Sequence, residues 1–173
     1  WEIEIAVANQ NIGARGTLVL DGLVISGGEL RVVVAAGDLE PRQLVLRHCT
    51  LVPGLLLATD GSAVSPGAPS LVVDHAFTQV TLEQCIVGAL RIHADTRVTL
   101  VDCIVDAGAA EAIAFEGTVA DGPGAEMQIR DSTVVGKLHV RLMQLASDTI
   151  VSARLATADT WAAPLWVERK QEG

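Results

Sequence analysis

A short apolar phrase that recurs along the chain constrains its fold more than any other feature. One copy reads L-x-L-x-x-C-T-L from Leu44, and another reads V-x-L-x-x-C-I-V from Val98. The six copies begin at Leu18, Leu44, Val80, Val98, Met127 and Met143. Such self-similarity is typical of solenoids, in which each repeat buries its apolar face only by stacking on its neighbours. The sequence therefore predicts a repeat protein, but the repeat by itself does not identify an activity.

A second short strand follows the phrase in several copies. After a break at Gly or another small residue, apolar and polar residues alternate, as in segments 30–34, 90–94 and 138–141. A helical repeat is disfavoured because Gly and β-branched residues interrupt every window of helical length. An antiparallel sandwich would show hairpin signals such as Asn-Gly between its strands, and none is obvious. Two strands per repeat, stacked in parallel, are therefore predicted.

The phrase, in the form Leu-x-x-Cys/Ser-Thr/Ile-Val, resembles the right-handed parallel β-helix over residues 17–160. This is the fold of the pectin-lyase-like superfamily and of many phage tailspikes. The resemblance implies an all-β, single-stranded right-handed parallel β-helix (a solenoid) of about six to eight short coils. The fold carries both enzymes and inert shafts, so it does not imply an activity.

A single domain over residues 1–173 is expected from the chain length. Residues 1–16 are predicted to form an N-terminal strand or cap, 17–160 the coils, and 161–173 a C-terminal cap or tail. In the last segment, Trp161 and Trp166 are expected to form a lid with Leu165 and Val167. Both chain ends are those expected of a piece of a longer protein.

Composition and charge narrow the range of partners. Half of the residues are apolar, which is enough for one sizeable core. A net charge of −9 makes binding to nucleic acid unfavourable, because that binding needs clustered Lys and Arg. No apolar run approaches the roughly 20 residues that span a bilayer. We therefore expect neither a nucleic-acid nor a membrane partner, and because Tyr is absent and Trp and Phe are few, a glycan is only weakly indicated.

Three cysteines, Cys49, Cys85 and Cys103, occupy the same position of the phrase. An odd number of cysteines at a repeated position fits buried thiols better than a disulfide framework. The absence of a Cys-x-x-Cys spacing also disfavours a zinc site. The cysteines therefore predict no metal or other cofactor, and they indicate a reducing, cytoplasmic setting.

Two long segments rich in small residues, 60–70 and 117–125, are candidates for loops at coil corners. Both follow a carboxylate and a turn residue, so both are expected to project from the same edge of the coil. Alternatively, residues 60–70 begin an extra coil whose strand is 71–74. The spacing alone does not separate these two interpretations.

The first candidate site is a set of carboxylates that recur before turns, namely Asp60, Asp95, Glu116 and Asp159. Stacked coils lie about 5 Å apart, so carboxylates at one corner would form a column. Such a column can bind Ca²⁺, or supply the two carboxyl groups that glycoside hydrolysis needs. The alternative, which repetition in the repeat favours, is that each carboxylate only accepts backbone N–H bonds in its turn.

The second candidate site lies on the outward side of the alternating strands. Because apolar residues at alternate positions point inward, Arg91 and His93 are predicted to face solvent, and so are His139 and Arg141. Together they can form a positive patch for a carboxylate or a partner's acidic surface. The alternative is an ordinary solvated face on which nearby acids, including Asp95 and Glu116, neutralise the charge.

These observations favour a non-enzymatic structural or protein-interaction module. The alternative is a carbohydrate-binding or polysaccharide-degrading protein that uses the surface of Asp60, Asp95, Glu116, His93 and Arg91. A further expectation is self-association, through the ends of the coil or through a face that contains Val45 and Val101. The sequence assigns no catalytic residue.

Overall fold

A computed structural model describes residues 3–4, 16–34, 37 and 39–169. All regular structure in this part of the chain is β-strand, and it has no helix of the length and hydrophobicity that a membrane span needs. The strands, in chain order, are β1 (Ile3–Glu4), β2 (Gly16–Asp21), β3 (Val24–Ile25), β4 (Leu30–Val32), β5 (Arg42–Arg47), β6 (Thr50–Leu51), β7 (Pro69–Val73), β8 (Thr78–Glu83), β9 (Ile86–Val87), β10 (Ala89–Ile92), β11 (Arg97–Val101), β12 (Ile104–Asp106), β13 (Ile113–Glu116), β14 (Gly124–Arg130), β15 (Thr133–Val135), β16 (Lys137–Ser147), β17 (Ile150–Ser152) and β18 (Leu165–Arg169).

These strands stack into three parallel ladders. The first ladder contains β2, β5, β8, β11, β14 and the C-terminal part of β16. The second contains β3, β6, β9, β12, β15 and β17. The third contains β1, β4, β7, β10, β13, the N-terminal part of β16, and β18. The chain visits the three ladders in turn, so each repeat contributes three strands and not the predicted two.

The long strand β16 joins two of the ladders. Its N-terminal part pairs with β13 and β18, and its C-terminal part pairs with β14. The first and third ladders therefore form one twelve-stranded sheet, and the second ladder is a separate six-stranded sheet. The parallel sheets curl into a half-barrel, an arrangement that is compatible with a parallel β-helix. The all-β prediction is confirmed at this level.

The core is built from inward-facing apolar columns, at least one of them on each ladder. The first ladder supplies Leu20, Leu46, Leu82, Leu100 and Ile129. The second supplies Ile25, Leu51, Val87, Val105 and Val134. The third supplies Leu30, Leu71, Leu90, Phe115 and Leu138. Stacked aliphatic side chains fill this interior, which explains why so few aromatic residues suffice.

The phrase is bent in its middle, and this bend accounts for the third strand. One residue of each copy has a positive φ, between 48° and 70°, where the chain passes from the first ladder to the second. These residues are Gly22, His48, Gln84, Asp102, Asp131 and Asp148. A left-handed residue turns the backbone sharply, so a segment that looks like one strand in the sequence forms two.

In five of the six copies the next position carries a short side chain that closes the bend, whereas the first copy has Leu23 there. The thiols of Cys49, Cys85 and Cys103 donate to the carbonyl oxygen two residues earlier, at 3.1–3.2 Å. The hydroxyl groups of Ser132 and Thr149 do the same at 2.7 and 2.8 Å. All three thiols are buried and unpaired, as the sequence predicts. This position therefore selects a small side chain with a donor.

The sixth copy of the phrase is displaced by one residue from its predicted alignment. Met143 pairs with Met127, but Leu145 and not Gln144 pairs with Gln128, because β16 carries an irregularity there. Thr149 therefore takes the position that was predicted for Asp148. Leu145, predicted to point inward, lies on the outer side of the sheet and is exposed.

The two long loops leave different corners, which corrects the expectation that they share an edge. Residues 52–68 connect the second ladder to the third, whereas residues 117–123 connect the third ladder to the first. Residues 71–73 do form a strand, as one interpretation has it, but β7 completes the coil of β5 and β6 and does not begin an extra one. Before it, Leu57 and Ala63 pair in antiparallel fashion, so residues 56–64 form a small hairpin.

The predicted N-terminal cap lies largely outside the described residues. Of residues 1–16, the structure describes Ile3–Glu4, which pairs with β4, and Gly16. Trp1 and the C-terminal residues 170–173 are likewise outside the described part of the chain.

Candidate functional site

An outward-facing column on the third ladder contains part of the predicted positive patch. Arg31, Val72, Arg91 and Glu116 pair in register, and His139 and Trp166 continue the row. The alternation that the sequence shows therefore places Arg91 and His139 on the outer side, as predicted. Their surroundings differ greatly from one another.

Arg91 and Glu116 are paired with each other. Arg91 Nε donates to Glu116 Oε1 at 2.7 Å, and the Glu116 side chain is only 9 % exposed. The pair borders a depression of about 330 Å³, whose other side is the loop at 117–121. A buried carboxylate needs such a charged donor, because leaving it unpaired costs several kcal/mol (about 3–5). The charge of Arg91 is therefore already neutralised by the carboxylate of Glu116 on the neighbouring strand.

His93 and Asp95 form the turn that follows β10. The Asp95 backbone N–H donates to His93 Nδ1 at 3.2 Å, and Thr96 N–H donates to the His93 carbonyl. The Asp95 carboxylate is largely exposed, with one oxygen 3.7 Å from Arg141. The His93 ring thus accepts a bond within its own turn, whereas the Asp95 carboxylate contacts Arg141 of β16, which is not the role that the turn alternative predicts for Asp95.

Arg141 is held by acidic groups of the first ladder. Its Nη2 donates to Glu126 at 3.0 Å, and Glu126 also accepts a bond from Gln144 at 2.9 Å. Arg97 lies 3.3 Å from the same carboxylate. Sequence analysis did not identify Glu126, although its place one strand away from Arg97 follows from the repeat alignment.

His139 is buried and not solvent-facing, which corrects the prediction. It is 1 % exposed, its ring stacks on Trp166 with centroids 4.4 Å apart, and Trp161 meets it edge-on at 5.2 Å. His139 Nε2 lies 2.7 Å from a Glu168 oxygen. Alternation along β16 does place His139 on the outer side of the sheet, but the C-terminal segment covers this part of the outer face. Trp161 and Trp166 thus cover the outer face of the third ladder at His139, and the prediction that they cap the end of the coil stays a prediction.

Lys137, which sequence analysis did not single out, is buried beneath the same segment. Its Nζ donates to Asp159 at 2.6 Å and lies 4.9 Å from the centre of the Trp161 ring. The hydrogen bond from Lys137 lowers the pKa of Asp159. Asp159 is thus part of the covering segment's attachment to the sheet.

The four carboxylates do not form a column, which corrects the first candidate site. Asp60 lies at the tip of the 56–64 hairpin, where it accepts bonds from the Ser62 hydroxyl and backbone, and these bonds lower its pKa. Asp95 follows the third-ladder strand β10, Glu116 is the last residue of β13, and Asp159 precedes β18. The separation arises because loops of unrelated length carry these residues. Within the described residues, no cluster of three or more His, Cys, Asp or Glu side chains could hold a metal ion.

A second depression, of about 230 Å³, lies where the third ladder turns into the first. It is lined by Pro41, Arg42, Phe77, Thr78, Gln79, Asp95 and Arg97. Phe77 is 49 % exposed, and Arg97 is 73 % exposed as a side chain. Gln79 and Arg97 are paired neighbours on adjacent strands. Apart from Asp95, none of these residues was predicted, because only the parallel register brings them together.

Comparison with family models, curated proteins and solved structures found no match for this chain.

Proposed function

We propose that the chain is a right-handed parallel β-helix that acts as a non-enzymatic structural or protein-interaction module. The observation that carries this proposal is that the candidate-site residues Arg91, His139 and Arg141, which lie within strands, are engaged by carboxylates of neighbouring strands. Arg91 is bound to Glu116, Arg141 to Glu126, and His139 to Glu168. Groups held in this way neutralise and fix the outer surface, and they present no pair of unengaged groups for acid–base chemistry.

The strand order supports the β-helix. The chain visits the first, second and third ladders repeatedly in the same sequence, and all strand pairings within the ladders are parallel. Right-handed winding is the strong preference for crossovers between parallel strands. Stacked coils that share one apolar core resist bending, which suits a spacer or a platform for other proteins. The buried, unpaired thiols are compatible with the cytoplasmic setting that we propose.

Substitution at the Arg91–Glu116 pair tests whether it is structural or chemical. We expect Glu116→Gln to lower the denaturation midpoint, and the native protein to cleave neither polyuronates nor neutral glycans. Asp60→Asn is the matched control, because Asp60 lies in an exposed hairpin, and we expect it to change stability little. Cleavage of any of these polymers that Glu116→Gln abolishes, with the fold intact by circular dichroism, would contradict the proposal.

A second candidate function is carbohydrate binding, and the depression beside Phe77 favours it. An exposed aromatic ring can pack on the apolar face of a sugar, while Arg97, Gln79 and Asp95 can bond its hydroxyl or carboxylate groups. Titration with uronic-acid oligosaccharides, followed by NMR, tests this function. If it holds, Phe77→Ala abolishes binding whereas Val119→Ala, on the loop after β13, does not. Identical spectra with and without sugar would rule it out.

A further inference from the structure

We propose that the outer face of the second ladder is the contact surface between two copies of this chain. This inference rests on the proposed role as an interaction module and names its partner. One column of in-register side chains runs along the face, made of Val24, Thr50, Ile86, Ile104, Thr133 and Ile150. This column is a mostly apolar row on the outer face of the sheet, and the inner face of the same sheet packs on the apolar core.

The apolar members of this column are exposed. Val24 and Ile150 are 73 % and 66 % exposed, and Ile86 and Ile104 are 43 % and 44 % exposed. Isolated apolar residues on a surface need no explanation, but these four share one line on one sheet. No charged residue interrupts the column.

The order of residues along the column points to an identical partner. Read from either end, the column is apolar, Thr, apolar, apolar, Thr, apolar. A two-fold axis parallel to the strands brings the first rung against the last, so Val24 meets Ile150, Thr50 meets Thr133, and Ile86 meets Ile104. Self-complementarity of this kind is what an isologous interface requires.

Charged residues beside the column favour the two-fold axis parallel to the strands over the other possible two-fold axis, which runs along the coil. When the two coil axes run in opposite directions, the left-handed corner residues face each other, so His48 meets Asp131 and Gln84 meets Asp102. A two-fold axis along the coil would instead set each rung against itself with its strand reversed. Asp102 and Asp106, on either side of Ile104, would then meet across the interface and repel.

The size of the face sets the strength of the contact. Six rungs span about 24 Å, and a width of about 10 Å gives on the order of 300 Å² for each copy. Stable dimers bury roughly 800 Å² on each partner, so this contact is weak. We expect a dissociation constant of about 0.1–1 mM. The first ladder offers no equivalent stripe, because Val45 is buried and pairs with Thr81, whereas Val101 pairs with Glu83.

Sedimentation over protein concentrations from about 10 µM to about 1 mM tests the contact. The wild-type average mass is expected to rise toward that of a dimer, and Ile104→Glu should weaken association at least tenfold. Val119→Glu adds the same charge at an exposed apolar residue of the loop after β13 and should leave the dissociation constant unchanged. If Ile104→Glu does not fold, Ile104→Thr serves, because Thr already occupies two rungs of the column. A wild-type monomer at 1 mM, or equal behaviour of the Ile104 and Val119 variants, overturns the proposal.

Disulfide trapping tests the order of the rungs. A mixture of the Val24→Cys and Ile150→Cys variants should form a mixed disulfide dimer that neither variant forms alone. The native thiols are buried and do not compete. Dimers from each variant alone would overturn the proposed axis. Cleavage of a glycan polymer by the protein would contradict the proposed function. It would not affect the conclusion about self-association, which depends only on the sedimentation and disulfide results.

Discussion

At the scale of single residues, the bend inside each phrase explains the pattern of small polar residues. A left-handed residue is followed by a Cys, Ser or Thr whose hydrogen bond closes the bend in the later copies. From the sequence alone, the three cysteines at this position could be explained by their small side chains or by the hydrogen bonds that their thiols donate. The hydrogen bonds show that Cys, Ser and Thr all act as donors at this position in five copies, which is why Ser132 and Thr149 can replace Cys.

The donor requirement can be tested at Ser132. Its hydroxyl donates to the Arg130 carbonyl at 2.7 Å and accepts the Cys103 N–H at 3.1 Å. Ser132→Ala removes both bonds and leaves the Cys103 N–H without this acceptor, so we expect it to lower the free energy of unfolding by about 1–3 kcal/mol. Ser132→Cys is the control and should cost less than about 1 kcal/mol, because Cys fills this position in other copies. Equal losses for the two variants in urea denaturation would contradict this role.

A second prediction concerns the backbone strain of the left-handed residue. Gln84 has φ 54°, a conformation that costs most residues roughly 1–2 kcal/mol, and the first copy has Gly22 at the same position. We expect Gln84→Gly to raise the free energy of unfolding by about 0.5–1 kcal/mol, since relief of strain outweighs the added freedom of the unfolded chain. Gln79→Gly, within regular strand β8, should lower it in the same denaturation experiment. Destabilisation by both variants would show that the bend carries no strain.

At the scale of elements, the C-terminal segment decides which part of the outer face is exposed. Strand β18 pairs with β16, and the preceding residues bring Trp161 over His139 and Lys137. The segment thus converts two polar residues of an outer face into a buried cluster. The prediction that this face is solvated was wrong at His139 for that reason, although Arg91, two strands earlier, remains about half exposed.

Attachment of this segment depends on Trp161. Because Trp161 is buried and contacts both His139 and Lys137, we expect Trp161→Ala to lower the free energy of unfolding by about 3 kcal/mol. Hydrogen exchange should then accelerate in β18 more than in β5 or β8. Val119→Ala, at an exposed position, is the control and should stay within about 0.5 kcal/mol of the wild type. Uniform acceleration over all strands would show that the segment is part of the global folding unit.

At the scale of the whole molecule, burial of a histidine links stability to pH. His75 lies between β7 and β8, is buried, and bonds the Thr78 hydroxyl at 3.0 Å. Burial, with smaller contributions from the charges of Arg42 and His93, lowers its pKa. The unfolded chain therefore binds a proton more readily than the native protein as the pH falls below about 6.5.

It follows that the native protein loses stability as the pH falls from about 6.5 to about 5, by at most about 1.4 kcal/mol per pH unit from this one group. His75→Gln should reduce that loss, which is measured as the difference between the two unfolding free energies at each pH. His48 supplies a contrast, because its exposed bond to Asp21 raises its pKa, so His48→Gln should not reduce the loss. A difference that stays constant with pH at His75 would contradict the linkage.

The sequence by itself determined the repeat, most of the inward columns and the buried thiols, but it predicted two strands in each repeat where the structure has three. Residues such as Leu46, Leu82 and Leu100 could be assigned because alternation along a strand and recurrence between copies are local properties of the chain. The same reasoning placed Arg91 and His139 on the outer side. It also anticipated that the Asp60 carboxylate would accept bonds within its own turn.

Only the tertiary structure decided where these local pieces lie relative to one another. Asp60 and Glu116 are at different corners because the lengths of the intervening loops, and not the repeat, set their positions. His139 is buried because the C-terminal segment 161–169 folds back over it, and Leu145 faces outward because one irregularity in β16 reverses the alternation. Burial depends on what covers a side chain, and a pattern within one strand carries no information about its cover.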